Sequence, residues 1–270
     1  LKGHLMQPSS SKAIAGVAVW LAGSVLVCPA LAETAPVNAI EGAIFACAGQ
    51  PLSIKKRLEA LNAAQWLIAD DTPGTREYFG HVFASGYGFP AFLINKEQLE
   101  ALISREDVAS PASAVFWRSE SRLKGETLAK GKAVDVEAVI ASVKEHDASV
   151  ELYFTLGDVH AILQVLALRR GKDYHLFCNL FVTQPLDDAF IVRSLPEAVK
   201  PADVRKERVY DPGYEATRIS YNTTSGYTGE LMHVDATELA PLQAYQSRFG
   251  SKAKISTILN FDSLNVPLQN

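Results

Sequence analysis

The chain has 270 residues, 48% of them hydrophobic and 21% charged, with a formal net charge of −4. That length holds one large domain or two small ones, and the composition is globular, with no low-complexity or proline-rich block to divide it. No basic patch interleaves with aromatic residues, which argues against nucleic acid as a partner, and no stretch after residue 32 is long and apolar enough to span a bilayer.

The first 32 residues read as a signal peptide. Lys2 and Lys12 precede an apolar run over 13–28, no acidic residue occurs before Glu33, and Ala30-Leu31-Ala32 supplies the small residues of a cleavage site. Counted through Ala32, the run approaches the ~20 residues of a membrane anchor, but Pro29 and the small residues at 30 and 32 favour a peptidase. Cleavage removes two lysines and no acidic residue, shifting the balance from −4 to −6. The expectation is an exported protein, periplasmic or secreted, with no membrane attachment after cleavage. Cys28 leaves with the signal, so Cys47 and Cys178 remain as a pair that an oxidising compartment would bridge.

In the mature chain, 37–48 has apolar residues at helical spacing and ends before Gly49. Ser53 is placed to cap a second helix with Ile54, Leu58 and Leu61 on its apolar face and Lys55, Lys56 and Arg57 on the wet side. A short strand at 65–69 and a turn at 70–74 follow. The aromatic, glycine-rich stretch 78–94 fits either broken strands or a loop, Asn95 caps a short helix over 96–104, and 105–132 carries no readable pattern. A helix is clear at 135–146, with Val136, Val139, Ile140 and Val143 on one face, followed by a strand at 150–155. The helix-then-strand order of 53–69 recurs at 135–155 without matching residues.

Two apolar segments within 160–183, separated by Gly171-Lys172, predict a β-hairpin. A two-residue loop sets Arg170 opposite Asp173. Ala161, Leu163, Val165 and Ala167 then share a wholly apolar face with Leu176, Cys178, Leu180 and Val182, against which a helix carrying Cys47 can dock. The opposite face holds Ile162, Gln164, Leu166, Leu168, Phe177, Asn179 and Phe181, a mixture that predicts partial cover or the floor of a cleft. Beyond it come a short helix at 186–194 starting near Asp187 and Asp188, a charged segment at 204–208, strands at 217–221 and 227–234, a helix at 237–249 and a last strand at 255–261. Residues 265–270 read as a disordered tail.

Chemistry is sparsely marked. Asp158/His160, Asp173/His175 and His233/Asp235 each stand two apart, so that in a strand both side chains of a pair face one way. The hairpin register separates His160 from His175 by roughly 25 Å, too far to share a metal. His233 with Asp235 remains as a base and its orienting carboxylate, with His81 as the distant partner. Ser121 and Lys124 fit S-x-x-K without its companion motifs, and Gly86-Tyr87-Gly88 lacks the third glycine of a nucleotide loop. Neither a cofactor nor a metal is expected. Asn222-Thr223-Thr224 matches a glycosylation sequon, which has meaning only in a eukaryotic secretory route. Tyr214, Tyr221 and Tyr227 alternate with turn residues and are the candidates for an exposed binding surface.

Taken together, the sequence predicts an α+β fold in which a mainly antiparallel sheet, built on the 160–183 hairpin, is covered by helices on at least one face. Residues 33–270 form a single domain, with any subdivision near 105–134. The expected role is binding, as a scaffold or inhibitory protein acting on an unknown protein or small-molecule ligand. The alternatives are a secreted hydrolase built on the His/Asp residues and a surface assembly component.

Overall fold

The structure, a computed structural model, describes residues 37–49, 52–70, 72, 74–75, 78, 82, 131–146, 149–157, 161–211, 214–224, 226–237, 239 and 255–269. Helix α1 (Val37–Ala48) leads into α2 (Ile54–Ala63), whose first turn is closed by the Ser53 hydroxyl accepting from the Lys56 amide. A two-residue strand, β1 (Leu67–Ile68), precedes α3 (Val136–His146), which Asp135 caps through the Ala138 amide. Then come β2 (Val150–Leu156), β3 (Ala161–Arg170), β4 (Asp173–Val182) and the short α4 (Asp188–Arg193), capped by Asp187. A 3-10 turn (Pro201–Asp203) leads to strands β5 (Arg205–Asp211), β6 (Tyr214–Asn222), β7 (Thr228–Asp235) and β8 (Thr257–Val266).

The eight strands of the described residues form one antiparallel sheet in the order β1-β2-β3-β4-β8-β7-β6-β5. The last strand in sequence is therefore central, joining the β1–β4 meander to the β5–β7 meander. The fold is α+β with helices packed on a sheet, as the alternation predicts. The hairpin register is also the expected one: Arg170 pairs with Asp173, and Gly171 takes φ +66° at the first loop position, where a type II′ turn requires a positive φ.

One face of the sheet is the core. Leu152, Phe154, Leu163, Val165, Leu176 and Cys178 pack with Ile40, Ile44 and Cys47 of α1, with Leu58 and Leu61 of α2, and with Val139, Ile140 and Val143 of α3. Helix α1 touches β4, β7 and β8 directly, and α2 contacts both α1 and α3. The other hairpin face is buried at Ile162, Gln164, Leu166 and Phe181 and half-buried at Leu168, Phe177 and Asn179, a deeper cover than its polar residues predict.

Two readings of the sequence need correction. Residues 205–208 of the charged segment lie within β5, an edge strand; exposed charges at an edge obscure the period-2 signal and also discourage pairing with other chains. The presumed tail is ordered through Gln269: Asn265 and Val266 finish β8, and the Pro267 and Leu268 carbonyls accept from the Ile54 and Lys55 amides at 2.9 and 3.2 Å. Those amides are orphan donors at the start of α2, and the chain end satisfies them. The expected helices at 96–104 and 237–249 and most of the boundary region 105–134 lie outside the described residues.

Candidate functional site

Helix α1 is fastened to the fold from several directions. Cys47 stands at disulfide distance from Cys178 on β4, with Cα atoms 5.8 Å apart. Arg57, placed by the sequence on the wet side of α2, is instead 2% exposed and points into the C-terminal end of α1. Its guanidinium donates to the carbonyls of Ala46, Cys47 and Gly49 at 2.6 Å each and to that of Leu52 at 3.1 Å. These include carbonyls that the end of a helix leaves without partners, and a cation is favoured there by the helix dipole. Burial pulls the Arg57 pKa down to about 10. The Tyr221 hydroxyl adds a bond to the Ala48 carbonyl at 3.1 Å, and the Trp66 indole holds the other end through Ala39 at 3.0 Å.

One stripe of α1 escapes this packing. Asn38 and Phe45 are exposed, the latter to 41%, and Glu41 and Gly42 between them are half-buried. The stripe borders a groove of about 830 Å³ also lined by Ala60 of α2 and by Ala64, the residue that ends it. Gln65, in the left-handed region at φ +64°, and Arg193 with Ser194 at the end of α4 also line it. Arg193 lies 4.7 Å over the Phe190 ring, and Ser194 donates to the Phe190 carbonyl, so the α4 wall is braced from within.

The two described histidine candidates, His175 and His233, stand apart from each other. His233 bonds Asp188 of α4 through Nδ1 at 2.8 Å, and Asp235 is occupied by the amide and hydroxyl of Thr237 at 3.0 and 2.7 Å. The carboxylate on His233 is thus Asp188, which also accepts from Lys206 at 3.3 Å. Burial works against the Asp188 charge, but the bonds from His233 and Lys206 outweigh it and hold the pKa below the usual aspartate value. His175 does not use Asp173 either; its Nε2 meets Asp262 on β8 at 2.6 Å. Alternation puts His233 on the helix-covered face, in line with Leu231, and His175 on the opposite face with Phe177 and Asn179. His81, Asp158, His160, Ser121 and Lys124 lie outside the described residues.

The tyrosine surface is also revised. Tyr221 is 2% exposed because its register partner on β7 is Gly229, and the ring fills the space a side chain there would take. Tyr227 is 45% exposed, while Tyr214 begins β6 and its side chain lies outside the description. Sequence pattern could not separate Tyr221 from its neighbours, since the signal is a glycine across a strand pair.

On the sheet face opposite α1, α2 and α3, register aligns a polar row that sequence reading saw only in part. Tyr153 pairs with Gln164, Gln164 with Asn179, and Asn179 with Asn260. Tyr153 and Gln164 both donate to the Glu151 carboxylate, at 2.9 and 3.0 Å, and Asn179 donates to the Gln164 oxygen at 2.7 Å. Glu151 is 4% exposed, so a buried carboxylate anchors the row. Among the described residues, no group of three or more His, Cys, Asp or Glu side chains is placed to hold a metal ion.

No family model, curated protein or solved structure matches the chain. Among the described residues no helix is long and apolar enough to cross a membrane.

Proposed function

We propose that this chain is an exported binding protein, of scaffold or inhibitory type, that takes a segment of its partner along the exposed stripe of α1. The observation that carries this reading is the contrast within one helix. Arg57, Cys178, Tyr221 and Trp66 immobilise α1, yet Asn38 and Phe45 remain exposed and Glu41 half-exposed beside a groove. A rigid surface loses little entropy on binding, and an exposed aromatic such as Phe45 is the usual energetic anchor of an interface. The basic n-region, apolar run and small residues before Glu33, with the cysteine pair, support export.

The hydrolase reading has less support, because the two described His/Asp pairs face opposite sides of the sheet and neither has a hydroxyl nucleophile bonded to it. The assembly reading loses Tyr221 to the core. The test is photocrosslinking in the native host from a benzophenone amino acid at position 45, with position 264, also exposed on β8, as control. A discrete adduct from 45 that is absent from 264 and abolished by Arg193→Glu is expected; equal labelling from both positions contradicts the proposal.

A further inference from the structure

We propose that the partner seated on the α1 stripe is a second copy of this chain, so that the groove is one half of a twofold-symmetric dimer; this rests on the reading of the stripe as a binding surface given above. A twofold interface brings one patch against itself, so that residue i of one copy meets residue j of the other and j meets i. Such a patch must contain its own complement in shape and in charge. In shape it does: Phe45 stands out from α1 at 41% exposure, while Ala60, Ala63 and Ala64, none reaching beyond its Cβ, line a recess beside it. Gly42 keeps the recess in place. A Cβ there would lie 2.5 Å from that of Ala64, so α1 closes on the end of α2 only because residue 42 has no side chain.

Charge is complementary in the same sense. Glu41 on α1 and Arg193 at the end of α4 both line the groove, and among the described residues neither forms an ion pair; the Arg193 guanidinium is held instead over the Phe190 ring. The carboxylate at the start of α4, Asp188, already has Lys206 and His233. The patch thus offers one free anion and one free cation, with no net charge. A partner of a single sign would satisfy one of them and be repelled by the other. A twofold axis sets Glu41 of each copy against Arg193 of the other and satisfies all of them. Exposed ion pairs contribute little affinity, so these pairs set the register, and burial of each Phe45 ring in the alanine-lined recess of the other copy drives association.

Sedimentation equilibrium of the oxidised protein from low micromolar to millimolar concentration tests this, on wild type, Glu41→Arg, Arg193→Glu, an equimolar mixture of those two variants, and the double variant. Wild type should pass from the mass of one chain toward that of two as concentration rises. Each single variant should associate about tenfold or more weakly at an unchanged Tm, because it sets like charges together across the axis and breaks no ion pair within the chain. The mixture and the double variant should both recover most of the wild-type affinity, since each again places an arginine opposite a glutamate at every 41-to-193 contact. A single-chain mass at all concentrations, association indifferent to both charge reversals, or weakened single variants whose mixture does not recover would overturn the proposal. A wild type that stays a single chain while position 45 still gives a discrete adduct with another protein overturns the dimer alone; absence of any discrete adduct removes the binding reading itself.

Discussion

The guanidinium of Arg57 donates to the carbonyl of Cys47, the residue whose side chain stands at disulfide distance from Cys178. One position in α1 is thus held twice, by its main chain to α2 and by its side chain to β4. Replacing Arg57 with Met removes four hydrogen bonds and leaves the carbonyls of Ala46, Cys47, Gly49 and Leu52 without these donors. A loss of about 3 kcal/mol is expected, at the upper end for point mutants, with Arg57→Lys intermediate because an ammonium cannot reproduce the planar fork. Urea unfolding of the two variants measures it.

Reduction should be less disruptive locally than globally. A bridge closing a loop of 131 residues stabilises by about 4 to 5 kcal/mol on the chain-entropy model, and engineered cases return less. Arg57, Tyr221 and Trp66 still hold α1 once the bridge is open. Cys47→Ser with Cys178→Ser should lower Tm by several degrees while the near-ultraviolet circular dichroism of the folded state persists. Alkylation of the untreated protein under native conditions should modify neither cysteine.

Much of this arrangement was legible beforehand. The two-residue turn fixed which hairpin residues faced the core, and Cys178 was among them because side chains alternate along a strand. Arg57 was not legible: it follows two solvent-facing lysines, and only the end of a neighbouring helix explains why a cation is buried there. The same holds for Asp188, which replaces Asp235 as the partner of His233 through a contact between residues 45 apart in sequence. Local spacing reports faces of elements, and these pairings are set by how elements dock.

The C-terminal segment should matter to α2. Deleting residues 267–270 removes the carbonyls that accept from the Ile54 and Lys55 amides. A loss of about 1 to 2 kcal/mol is expected, and the amides of 54 and 55 should exchange with solvent far faster than in the intact chain. Unchanged exchange at those two positions would mean that water serves as well.

Asp188 should contribute to acid sensitivity. Its folded pKa is depressed, so the stability it contributes is present above the unfolded aspartate pKa and is lost as pH falls through the lower folded value. Wild type should exceed Asp188→Asn in Tm at neutral pH, and the gap should narrow below about pH 4. A gap constant from neutral to strongly acidic pH would assign the effect to packing alone.

Hydrogen exchange of the α1 amides over 43–48, measured on the oxidised protein without any partner, bears most directly on the claim that the binding stripe is fixed in advance. Protection approaching that of β3 and β4 is expected, with a large loss in Arg57→Met. Exchange in the wild type as fast as in an exposed loop would show that α1 is not a preformed ridge, and the proposed mode of binding would not stand.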